Sequence, residues 1–289
     1  MMSRPLSVVK RNPLISFFVL AYALSWLAFP VWASGLFTFF GPVFSFGPFI
    51  AALVVLAATR GKSGVGALLR SMVRWRVGLR WYAVVLLPAG LAVAATVLNV
   101  LLGAQAPSSV ELGGWTSLLP GYFLVLLTPG LGGAWEEPGW RGYALPRLQT
   151  GRSALFASLI LWVLIAGWHL PLMVVGQVHW SDIVLMLAGV IIYNWVFNSA
   201  NGSVLIIMMM HAMNNTVSGF FFSQMFSGAD SVRQSWMLAV VWCVVAMVVV
   251  TVAGPKHLSR KHTKQEEPSA ISTKPSVYGA RPKAEPQAQ

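Results

Sequence analysis

Glu136, Glu137, Arg141, His169, His211 and Asn215 are six polar residues in an otherwise apolar chain. Together they are the parts of a hydrolytic site. Cutting an amide with water takes a base to deprotonate the water and donors to hold the tetrahedral oxyanion. Burial and a like charge alongside both favour the neutral form of a carboxylate, and this suits such a group to serve as a base. Glu137 and Arg141 are four apart, so on a helix they are expected to pair, leaving Glu136 to face the water. His169 is expected to orient that water or a metal. His211 and Asn215, also four apart, share a helix face and are expected to donate to the oxyanion. Pro138 removes an N–H and disfavours helical geometry at Glu137, and Gly139 and Gly142 loosen the same turn.

Each residue also has a plainer reading. Glu137 and Arg141 suit a simple salt bridge, a histidine within a span can bond a neighbouring helix, and Asn214 and Asn215 suit interhelical packing. The argument for chemistry is the combination: two Glu, two His and an Asn on three separate apolar segments, where ionisable groups are costly.

Those segments define the fold class. Hydrophobic residues make up 56% of the 289, charged residues 10%, and mean hydropathy is +0.69. A soluble domain carries about 25% charged residues. Recurrent apolar runs of about 18 residues or more read as membrane spans. The chain is therefore expected to be all-α and polytopic, with about eight transmembrane helices near 13–32, 38–59, 81–103, 117–136, 153–175, 182–200, 203–226 and 233–253. The first follows Lys10 and Arg11 and is read as a retained span rather than a signal peptide. Residues 63–80 combine apolar side chains with Arg70, Arg74, Arg76 and Arg80, as in a helix lying on the membrane surface. Residues 1–254 form the membrane domain. Residues 255–289, rich in Lys, Pro, Ser and Gln, are expected to be a disordered basic cytoplasmic tail.

The net charge of +12 is not a nucleic-acid signature, because it is clustered between the spans. With eight spans, 19 of the 20 Lys and Arg residues fall on one side and only Arg233 on the other. The positive-inside rule then places both termini in the cytoplasm, as a multi-pass protein of the plasma membrane if the host is bacterial. The lipid bilayer itself is one expected partner. Cys243 is the single cysteine, so no intrachain disulfide forms.

Depth sets a condition on the site. If the fifth span starts near Ser153, His169 stands about 24 Å from the inner surface and His211, on the seventh, about 12 Å. Glu136 meets them only if helix four continues past it towards Pro146, which puts it roughly 15–20 Å deep. Other intramembrane chemistries lack their motifs: there is no HExxH, no GxSG and no GxGD.

At these residues the sequence resembles the CAAX prenyl protease and bacteriocin-processing family, the type II CAAX endopeptidases. The EExxxR motif is matched by Glu136, Glu137 and Arg141, and HxxxN by His211 and Asn215. FxxxH is matched at His169, with Ile165 in place of the phenylalanine. The protease-like core covers about residues 117–218. The resemblance implies eight or so helices around an intramembrane cavity open to the cytoplasm, and an endopeptidase acting on a peptide or membrane-anchored protein. In it, Glu136 and His169 would activate water while His211 and Asn215 would form the oxyanion hole. The family has been described both as zinc enzymes and as metal-free glutamate proteases. Glu136, His169 and His211 would be the ligands if zinc is used. Members also act as non-catalytic bacteriocin self-immunity proteins or scaffolds, and this is the alternative function. A small transporter with Glu136 and His169 as a proton relay is a third.

Overall fold

The computed structural model describes residues 4–35 and 41–259. Eight helices carry the fold: α1 (Pro13–Ala33), α2 (Gly47–Met72), α3 (Leu79–Leu101), α4 (Ser109–Leu127), α5 (Ala154–Trp168), α6 (Asp182–Ser199), α7 (Val204–Met225) and α8 (Gly228–Ala253). All but α5 are long and apolar enough to cross a membrane, and no strand occurs among the described residues. The chain is an integral, multi-pass membrane protein. The start of the expected second span and residues 260–289 of the expected tail lie outside the described residues.

Sequence explains where the helices depart from eight uninterrupted spans. The expected fourth span, 117–136, instead stops at Leu127. Thr128 precedes a proline and is extended, and Gly130 and Gly132 take positive φ (91° and 74°), so TPGLGG breaks the helix. Helix four therefore does not run through Glu136. A separate helical segment follows: Ala134–Glu136, then a wide π turn at Pro138–Ala144, then Leu145–Leu148. The fifth span breaks at His169 and resumes as Leu170–Val174, because Pro171 has no N–H to continue the ladder. Of residues 63–80, expected as one surface helix, those up to Met72 continue α2 beyond a kink at Gly61 (φ 60°), and 73–78 are not helical.

Packing makes α1 part of the core. Phe17, Ala21 and Ser25 are buried, and the Tyr143 hydroxyl donates to the Pro13 carbonyl at 3.1 Å. Trp26 Nε1 donates to the Trp168 carbonyl at 3.0 Å, and the Tyr22 hydroxyl donates to the Leu164 carbonyl, so α1 clasps the end of α5 just before the break. Gly139 lies so close to α2 that a Cβ there would stand 2.5 Å from the Pro48 backbone.

The two ends of the bundle differ in charge. At one end Arg74 donates to the Asn201 carbonyl, and Ser203 Oγ donates to the Arg74 carbonyl at 2.7 Å. At that same end Ala154 N–H donates to the Lys256 carbonyl (2.9 Å) and Asn198 Nδ2 to the His257 carbonyl (3.0 Å). Residues 255–259, placed in the tail by their composition, are thus held against the bundle, and Leu258 is fully buried. At the opposite end α8 is tied to α3: Arg233 donates to Asn99 Oδ1 (2.7 Å) and pairs with Asp230 (2.7 Å).

Candidate active site

The break after α4 turns Glu136 and Glu137 back into the bundle at the start of the 134–148 segment. Wide π turns begin beside Glu137 and at Asn215, and such turns are frequent at functional sites because they re-aim side chains. Glu137 is fully buried and doubly paired. Its Oε2 stands 2.9 Å from Arg141 Nη1, and its Oε1 is 2.6 Å from His211 Nδ1. The i, i+4 pairing of Glu137 and Arg141 read from the sequence is present. Glu136 is also buried. Its Oε2 accepts from Trp140 Nε1 at 3.1 Å, one helical turn on.

His169 stands at the α5 break with Nδ1 2.9 Å from the Ile165 carbonyl. A carbonyl only accepts, so Nδ1 carries the proton and Nε2 is left bare, able to accept from a water. Trp168 links this end to the carboxylates, its ring 5.9 Å edge-to-face from that of Trp140.

Asn215 Oδ1 accepts from the Gly133 N–H at 2.7 Å, which fixes the amide and frees its Nδ2 hydrogens. A Cβ on Gly133 would fall 2.2 Å from His211 Nε2 and 2.9 Å from Glu136 Oε1, so those two atoms lie within about 5 Å of each other. Only a residue with no side chain fits between them.

All six sequence-derived residues have a place here. Glu136, Glu137, Arg141, His169, His211 and Asn215 line one cavity of about 520 Å³. The arrangement also uses residues that sequence reasoning passed over. Arg141 Nε donates to Asn194 Oδ1 (3.1 Å), Asn194 Nδ2 donates to Ser158 Oγ (2.8 Å), and Ser158 donates to the Ala154 carbonyl (2.7 Å). Tyr193 lies under the Arg141 guanidinium, 5.2 Å from ring centroid to Cζ. The available signal was an asparagine deep in the apolar α6 run, where an unpaired amide is costly.

The cavity also has exposed lining residues away from the basic end. Its exposed rim includes Gln177, His179 and Ser223, which lie in the connection before α6 and at the last turn of α7. The resemblance implied an opening towards the side carrying the basic clusters, and these three residues lie at the other end of the helices. No three His, Cys, Asp or Glu side chains stand close enough to hold a metal ion among the described residues. Glu136, His169 and His211 share the cavity without converging into the donor set that zinc would need.

Comparison with known proteins follows the same core. Residues 115–217 match the family described as Type II CAAX prenyl endopeptidase Rce1-like. A curated relative, CAAX prenyl protease 2 of Methanococcus maripaludis, is 28% identical over 193 residues, which is 62% of this chain and 69% of the relative. With the three motifs in order on one cavity and this core matched, the chain is similar to the type II CAAX prenyl endopeptidases over that core.

Proposed function

We propose that the chain is an intramembrane endopeptidase that hydrolyses a peptide bond of a peptide or membrane-anchored protein, with Glu136 as the base. The observation that carries this reading is the division of labour between two adjacent carboxylates. Glu137 is committed to Arg141 and His211, whereas Glu136 keeps Oε1 turned towards the gap beside His211 Nε2.

The steps follow from the bonds. A water held between Glu136 and the bare Nε2 of His169 loses a proton to Glu136 as its oxygen attacks the scissile carbonyl carbon. The resulting oxyanion accepts from Asn215 Nδ2–H and His211 Nε2–H. A carboxylate oxygen only accepts, so His211 donates from Nδ1 to Glu137, and its Nε2–H requires the doubly protonated ring. Glu137 stabilises that imidazolium, and Glu136 and Glu137 together balance Arg141 and His211. Glu136 then returns its proton to the amide nitrogen, the C–N bond breaks to give an amine and a carboxylic acid, and the acid passes its remaining proton to the amine as the two leave. Because the candidate zinc ligands do not converge, no step is routed through a metal.

Glu136→Gln is the decisive variant. It keeps the hydrogen bond from Trp140 but cannot take a proton, and cleavage is expected to fall by about 10³-fold or more with the thermal midpoint in detergent unchanged. His169→Ala and His211→Ala are expected to behave alike. Cleavage at the wild-type rate by Glu136→Gln refutes the assignment. Protection of cells or binding of a partner that survives in all three variants would favour the immunity or scaffold role instead.

A further inference from the structure

A second groove, of about 560 Å³, lies on the outside of the bundle towards its basic end. Val84 and Leu87 of α3, Trp195 of α6 and Val245, Val248 and Val252 of α8 line it. None of its lining residues belongs to the active-site cavity. Val248 and Val252 are exposed, so the groove faces outwards to the bilayer.

The sequence opens this space. Pro88 has no N–H to offer the Val84 carbonyl, and the α3 ladder is interrupted at Val85 and Leu86. Beyond the interruption α3 packs along α8, whereas Leu79–Val84 scarcely touches it. On α8 the lining runs from Val245 to Ala253, about 12 Å along the axis. That is most of the depth of one leaflet in a hydrocarbon core about 30 Å thick.

At its basic end the groove meets charge. Arg80 precedes Val84 by one helical turn and Leu87 by two, so it shares their stripe. Its guanidinium lies over the Trp81 ring, 5.1 Å from the centroid, and the Trp81 ring is edge-on to that of Trp195 at 5.4 Å. Arg80 is exposed and forms no ion pair among the described residues. The acidic side chains described lie elsewhere: Glu136 and Glu137 in the active site, and Glu111, Asp182 and Asp230 towards the opposite end of the helices. Trp195 Nε1 donates to no acceptor among the described residues. The fitting occupant is apolar along about 12 Å and anionic where it reaches Arg80. A bilayer lipid with a net negative headgroup has both properties, and juxtamembrane arginines attract such lipids.

We propose that this groove is a binding site for an anionic phospholipid, one acyl chain lying between α3 and α8 and the phosphate facing Arg80 and the Trp195 N–H. It does not depend on the peptidase reading.

Native mass spectrometry of the protein in detergent tests it, with phosphatidylglycerol and phosphatidylcholine of the same two chains. Phosphatidylglycerol is expected to half-saturate the first site at a concentration about fivefold lower, the worth of one arginine beside an anionic lipid. Arg80→Gln should erase that preference. Val248→Trp fills the groove from an exposed position and should weaken both lipids about tenfold or more while the unfolding midpoint stays put. Val252→Phe, one turn on, gives the same reading with a smaller ring. Equal binding of the two lipids, or a preference that survives Arg80→Gln, overturns the headgroup contact. Binding that neither groove-filling variant weakens overturns the groove as the site. Displacement of the lipid by inorganic phosphate alone removes the chain from the interaction. Tighter binding of farnesyl monophosphate than of phosphatidylglycerol makes the occupant an isoprenoid and overturns the phospholipid.

Discussion

The two walls of the cavity handle buried polarity in opposite ways. On one, Glu137, Arg141, Asn194 and Ser158 are bonded in series, from His211 through to the Ala154 carbonyl. On the other, Asn214, Ser218, Gln234 and Trp242 each leave a polar atom without a partner among the described residues. A closed series in a low-dielectric interior holds its members in one geometry, because freeing any member strands the next. An open set fixes nothing beyond itself, because no member's bond depends on the next. The first wall therefore holds its groups in one geometry, whereas the second leaves four polar atoms unbonded among the described residues.

Breaking the closed wall should cost the most. Arg141→Leu leaves the buried Glu137 and Glu136 carboxylates with one fewer cation, His211 alone, and a destabilisation of about 3–5 kcal/mol is expected. The readout is the shift in unfolding midpoint in detergent. A smaller effect is expected from Asn194→Ala, which deprives Arg141 Nε and Ser158 Oγ of one bond each. About 1–2 kcal/mol is expected, with turnover reduced because the guanidinium is no longer fixed. An Asn194→Ala protein as stable and active as the wild type would show that the series is incidental. On the open wall, Ser218→Ala removes an oxygen that has no partner among the described residues. Its stability should stay within about 0.5 kcal/mol of the wild type, read from the unfolding midpoint in detergent. A large loss of stability there would mean that the wall is structural and would erase the contrast between the two.

Local periodicity made the reactive half of the site legible. Glu137 with Arg141, and His211 with Asn215, are neighbours one helical turn apart wherever a helix forms, so spacing alone pairs them. The series beyond Arg141 was not legible, because Asn194 and Ser158 are far along the chain from it and meet it only through packing of α5 and α6. The end of helix four was written in the sequence at Pro129 and its flanking glycines, but the apolar run carried the reading past it. Gly133 had no local signal at all. Its need to be glycine comes from His211 Nε2, brought up from α7.

By itself, then, the sequence determined that the chain lives in a membrane as a bundle of apolar helices. It also determined which end carries the basic residues, and which few polar groups those helices bring inside. These follow from transfer free energies and from the 3.6-residue period, both local properties of the chain. Tertiary structure alone decided which carboxylate is paired with a cation, how the broken fourth span carries both inwards, and which remote side chains line the cavity with them. Those outcomes depend on contacts between segments remote in sequence, and no local pattern encodes such contacts.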